Sequence, residues 1–137
     1  MDLYRIIYSS QPFGYDEAAL AGILVDARRC NERDGVTGAL VCRRDVFLQL
    51  IEGPRPRVLD TFERIRRDDR HVDVAVHLSG PVPERLFGGW AMLHDPAASW
   101  FEAAKGRPAD WLAAADADEI SALFTSIAAK ATAAPAR

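Results

Sequence analysis

Leu3–Ser9, LYRIIYS, is the stretch whose reading decides the fold. Strand periodicity puts Leu3, Arg5 and Ile7 on one face and Tyr4, Ile6 and Tyr8 on the other. Large apolar groups on both faces imply a strand covered on both sides, hence a central one. Working outward, SQPFGYDE (10–17) reads as a loop, with Asp16 as a helix N-cap and Glu17 favourable in the first turn. Leu20, Ile23, Leu24 and Ala27 then follow at helical spacing. That helix is expected to stop near Asn31, with ERDG (32–35) turning the chain. Val36–Cys42 and Val46–Ile51 read as two strands of a hairpin joined by RRD (43–45).

EGPRP (52–56) is expected to break the third strand, Pro56 being suited to a helix's first turn. Val58, Leu59, Phe62 and Ile65 give a second amphipathic helix. Val72–Leu78 alternates as a strand, SGPVPERLFGG (79–89) reads as a long loop, and Trp90–His94 as a short last strand. The order is β-α-β-β-α-β plus one further strand: an α+β protein with the ferredoxin-like split βαβ topology. That topology sets the first and third strands side by side at the sheet's centre and both helices on one face. The opposite face then needs a cover. The Ala-rich remainder, with Trp100, Phe101, Trp111, Leu112, Ile120, Leu123, Phe124 and Ile127, is expected to supply it as helices. The division expected is a first unit over residues 1–95 and a helical cap over 96–137.

The 137 residues suit one domain, and 49% hydrophobic with 27% charged residues is ordinary globular composition. A net charge of −3 disfavours a nucleic-acid grip, which needs concentrated Lys and Arg. No apolar run reaches the roughly 18 residues of a membrane span, and MDLYRIIYSS lacks the parts of a signal peptide. Cys30 and Cys42 have no metal-like spacing, so no metal is expected, and a reducing, cytoplasmic setting is the default. Phosphate-binding glycine motifs, a nucleophile elbow and metal clusters are absent, and His71, His77 and His94 are scattered. An acylphosphatase-like enzyme would need an Arg in the loop after the first strand, and SSQPFG has none.

A few residues do not fit a bland core. Gln49 shares a strand face with Phe47 and Ile51, so its amide is expected to be buried, and a buried amide without partners costs on the order of 1–3 kcal/mol. It either bonds a backbone edge or meets a ligand. Tyr8, on the adjacent strand, can reach it across the pair, although a tyrosine at a strand end commonly just points to water. Asn31 lies on the first helix's apolar stripe, either bonding its own backbone or aimed at a ligand. Arg64 flanks the second helix's stripe with Asp68 four residues on, a spacing that is usually surface decoration. His71 ends that helix and serves equally as a helix-end cation. Trp90 and Met92 are expected on one face of the last strand, where plain core is the simpler reading.

Together these segments resemble a known family. LYRIIYSS, ARRCNERDGVTGAL, FLQLIEGPRPRV, RIRRDDRH and RLFGGWAM stand in the order and spacing of BLUF domains, blue-light sensors that use flavin adenine dinucleotide, over about residues 2–94. The resemblance implies non-covalent FAD (FMN and riboflavin being alternatives) between the two helices, its ring toward the central strands. It implies that Tyr8 is the electron donor and Gln49 the switching amide. It also implies that Asn31 holds the flavin's pyrimidine edge and that Arg64 lies near the flavin carbonyl and ribityl side. Asp68 and His71 would lie toward the ribityl and phosphate groups, and Trp90 and Met92 would be the pair whose packing near Gln49 responds to light. Cys30 departs from the family's usual polar or aromatic residues.

On this reading the protein is a photoreceptor and not an enzyme. Residues 96–137 are too few for an effector domain, so a short stand-alone sensor is expected. It would signal to an unidentified partner protein through its last strand and C-terminal helices or as a homo-oligomer, with no direct nucleic-acid or membrane contact. The competing readings are a flavin-free interaction adaptor on the same fold and a small flavin-dependent enzyme.

Overall fold

The structure, a computed structural model, describes residues 3–12, 17–43, 46–68, 71–95 and 116–132. In chain order these form β1 (Leu3–Pro12), α1 (Glu17–Asp34), β2 (Thr37–Arg43) and β3 (Val46–Pro54). Then come α2 (Arg55–Arg66), β4 (His71–Val82), β5 (Leu93–Asp95) and α3 (Ala117–Thr132).

The strands lie in the order β4-β1-β3-β2-β5. Four pair antiparallel in the ferredoxin-like order, and β5 adds three residues parallel to β2. β1 is central, as its two apolar faces require. Ile6 and Tyr8 face the cluster formed with Leu24 of α1 and Val58 of α2. Ile7 faces the other cluster, with Leu48, Leu50, Phe87 and the α3 residues Ile120, Leu123, Phe124 and Ile127. So α1 and α2 cover one face and α3 covers the other. Trp100, Phe101, Trp111, Leu112 and the Asp16 cap fall outside the described residues.

Several boundaries differ from the sequence expectation. α1 continues through Glu32–Asp34 and ends at Gly35, whose φ of 71° is the left-handed geometry that glycine adopts without steric penalty. The Val36 amide donates to the Asn31 carbonyl at 2.9 Å, closing the helix with a Schellman bond. Asn31 therefore lies inside the last turn, its direction fixed. β3 is not broken at Glu52, because β1 pairs with it as far as Leu3↔Pro54. β1 and β4 are longer than their hydrophobic alternation suggested, since β4 pairs with β1 from His71 to Val82. Leu59, expected in the α2 stripe, is 41% exposed, and Thr61 is buried in its place. The last strand begins at Leu93, not Trp90: the Trp90 amide donates to the Phe87 carbonyl in a turn. Gly38 is needed for close approach, since a Cβ there would stand 2.0 Å from the Leu50 carbonyl oxygen.

Candidate functional site

A cavity of about 240 Å³ opens on the α1/α2 face of the sheet. Ile23, Ala27, Leu40, Phe47 and Ile65 give it apolar walls, while Tyr8, Asn31, Gln49 and Thr61 bring polar atoms. Asp26, Arg29, Cys30, Arg64 and Asp68 also line it. One long apolar wall, a few converging polar groups and a charged mouth are the usual makings of a ligand site.

The floor is built by register. Tyr8 of β1 stands opposite Gln49 of β3, both on the face that α1 and α2 cover. The buried Tyr8 hydroxyl donates to Gln49 Oε1. Gln49 Nε2 in turn lies 3.6 Å from Met92 Sδ, a weak acceptor. Phe62 meets the Tyr8 ring edge-on, centroids 5.4 Å apart. Burial raises the Tyr8 pKa well above its ordinary value, and Asp68 nearby adds to the shift. The phenol is therefore neutral and a donor at any ordinary pH.

α1 supplies the side of the site. Asn31 is 1% exposed and its Nδ2 donates to the Ala91 carbonyl at 2.9 Å. One turn earlier, Arg28 Nε donates to the Met92 carbonyl at 3.1 Å. Together they fix the segment leading into β5 beside the cavity. At the mouth, Arg64 Nη1 lies 3.8 Å from Asp34 Oδ2, and Arg33 Nε bonds Asp34 Oδ1 at 2.8 Å. The Arg33 hydrogen bond holds the Asp34 carboxyl below its ordinary pKa of 3.8, with Arg64 and Arg57 adding attraction.

Tyr8, Asn31, Gln49, Arg64 and Asp68 therefore converge on one cavity. His71 does not end α2, which stops at Arg66; it opens β4, where pairing with β1 takes over, and its side chain lies outside the described residues. Trp90 and Met92 do not share a face. Met92 is 2% exposed and packs in the helix-side cluster, whereas Trp90 packs against the α3-side cluster. The reason is that they precede β5 in an irregular segment, where strand alternation does not apply. The sequence reading also missed Thr61 and Arg28. Thr61 had a signal, a hydroxyl three residues after Val58 on the α2 stripe; Arg28 had none, because its partner is 64 residues away.

The residues fit a flavin. Among the described residues, Thr61 Oγ1 is a buried side-chain oxygen without a hydrogen-bond partner, and it belongs to the cavity wall. Buried hydroxyls are normally satisfied, so this one has a vacancy for a ligand's polar edge. Apolar walls suit a flat heterocycle, the Gln49 and Asn31 amides suit its polar rim, and the arginines at the mouth suit a phosphate-bearing tail.

Fold and cavity thus define a small ligand-binding domain whose buried amide has both its donor and its acceptor engaged. Residues 3–93 match the family described as sensors of blue light using FAD, and the chain belongs to that BLUF family. It is 37% identical over 68 residues to a photoactivated adenylate cyclase subunit beta of Euglena gracilis, covering 50% of this chain and 8% of that protein. It is 37% identical over 62 residues to the blue light- and temperature-regulated antirepressor BluF of Escherichia coli (strain K12), covering 45% of this chain and 15% of that one. The chain spans less than a tenth of the cyclase subunit's length. Among solved structures, the dark state of BlrB, a BLUF protein, aligns over 94% of this chain and 97% of that chain, at TM-score 0.83 and 28% identity. The matched region is a blue-light sensor that uses FAD, and its own chemistry is sensing rather than turnover. Among the described residues no helix is long and apolar enough to cross a membrane, and no group of three or more His, Cys, Asp or Glu is placed to hold a metal.

Proposed function

We propose that light is read by the Tyr8–Gln49 pair and passed on through the Ala91–Met92 segment. When bound, FAD supplies the blue-light absorption and a strongly oxidising excited state. Tyr8 is the phenol placed to release an electron and then its proton, and its O–H already points at Gln49 Oε1. The observation that carries this reading is that the Gln49 amide is engaged on both atoms, by Tyr8 at Oε1 and by Met92 Sδ at Nε2. Turning the amide would present its NH₂ to Tyr8 and its oxygen toward Met92 and the cavity. Met92 is a poor partner for an oxygen acceptor, so the new arrangement would press on the segment that Asn31 and Arg28 hold. A local exchange of hydrogen bonds would thereby become a displacement next to β5.

Asn31, Arg64 and Asp68 are read as flavin-holding residues, with Thr61 added by its unmet hydroxyl. His71 is kept as a cofactor-side residue on the resemblance alone. Trp90 and Met92 are read as the responding pair from opposite faces of the sheet. We take residues 1–95 as the sensor and 96–137 as the cap through which an effector protein, or a second copy of the chain, is engaged in the cytoplasm. BLUF proteins signal to effectors. The test is illumination of the purified, FAD-loaded protein. A reversible red shift of the flavin band is expected, and Gln49→Leu should keep the flavin and lose the shift. A protein that takes up no flavin, or a Gln49→Leu variant with an unchanged photocycle, would contradict the proposal.

A further inference from the structure

On the α3 side of the sheet, Glu52 ends a buried polar cluster that the light-reading pair does not use. Its side chain is fully buried. Arg5 donates to Oε1 through Nε at 3.1 Å and Nη2 at 2.9 Å. The backbone amides of Leu86 and Phe87 donate to Oε1 at 3.1 Å and Oε2 at 2.7 Å. Thr37 Oγ1 lies 3.5 Å from Oε2 and accepts from Arg85 Nη1 at 3.0 Å. Arg5 Nη2 also donates to the Glu84 carbonyl at 3.0 Å. One carboxylate thus ties β1, β2 and β3 to the beginning of the segment 84–92. Hydrogen bonds to a charged group are the stronger kind.

The other end of that segment is held at the cavity by Asn31 on the Ala91 carbonyl and Arg28 on the Met92 carbonyl. Between the two anchors the chain is irregular, with the Phe87–Trp90 turn and the Gly38 amide on the Trp90 carbonyl at 3.2 Å as its ties to the fold. Resting on the function proposed above, we infer that Glu52 is a positioning residue of the photoresponse. It fixes the start of the segment, and through it where Trp90 and Met92 sit, so that a push at Met92 works against a held spring and is driven back in darkness. Because the start stays held, the displaced segment is strained in the lit arrangement and recoils; loosening the Glu52 anchor relieves that strain and slows the return.

The experiment uses the full, FAD-loaded chain as parent, Glu52→Gln and Arg5→Lys, and measures the light-minus-dark spectrum, the dark recovery rate and amide exchange over residues 84–92. Glu52→Gln keeps the shape and removes the charge. It should show the parent's red shift, recovery slower by roughly ten-fold, and faster exchange at Leu86 and Phe87, the size expected for one hydrogen bond to a charged group. Arg5→Lys should slow recovery by a smaller factor, and it decides the question if Glu52→Gln does not fold. Recovery at the parent rate or faster, even in a variant less stable to heat, makes the cluster a scaffold only and overturns the inference. Loss of the red shift in a folded, flavin-bound variant overturns it as well, since Glu52 would then act on the cavity directly. A parent without a reversible shift overturns the proposed function itself, which separates the two failures.

Discussion

The two faces of this sheet are made of similar residues and do different work. On the α3 side, Ile7, Leu48, Leu50, Phe87 and Phe124 close into an apolar layer, the two phenyl rings meeting edge-on at 6.3 Å. On the α1/α2 side, Ile6, Leu40, Phe47 and Ile51 are joined by Tyr8, and the packing stops short of closing, leaving the cavity. Close packing is the default of protein interiors, so the unfilled face is the informative one. One face holds the molecule together, while the other gives up contact area to receive a ligand.

Substitutions on the two faces should therefore separate stability from flavin binding. Phe124→Ala on the closed face should cost roughly 3–5 kcal/mol, read by urea unfolding, with flavin uptake per folded molecule unchanged. A parallel loss of affinity would show that the faces are coupled. On the open face, FAD at about a hundred times its Kd should add about 2.7 kcal/mol, and a Tm unmoved by FAD would refute the cavity assignment. Asn31→Ala leaves the Ala91 carbonyl unpaired and should cost about 1–3 kcal/mol, together with weaker flavin binding in a fluorescence titration. Thr61→Val removes the unpartnered hydroxyl, so the flavin-free protein should gain up to about 1 kcal/mol while its affinity for FAD falls. A smaller effect comes from His77, whose ring is hydrogen-bonded to Ser9 at 2.7 Å. Burial lowers its pKa from 6.5, so its folded form resists protonation. Its contribution is present above pH 6.5 and is lost as pH falls through the depressed folded pKa. His77→Gln should flatten that part of the stability-versus-pH curve.

The sheet order and the Tyr8–Gln49 juxtaposition were legible because period-two alternation fixes which residues share a face and neighbouring strands do the rest. Asn31 was legible as a polar group on an apolar stripe. The parts that were not legible depend on long-range contact. β3 runs past Glu52 because β1 stays paired to it, which no local Gly-Pro signal reveals. Trp90 and Met92 part company because a turn tied to Phe87 and Gly38 replaces the expected strand. Arg28 carried no local signal, because only the fold brings the Met92 carbonyl within 3.1 Å of its Nε.

The most direct test is the light-minus-dark absorption spectrum of the FAD-loaded protein beside that of Gln49→Leu. The parent should give a red-shifted flavin band that relaxes in darkness, and the variant should bind FAD yet give none. An equal, reversible shift in both would mean that the amide beneath the cavity is not what changes its bonds when the protein sees light.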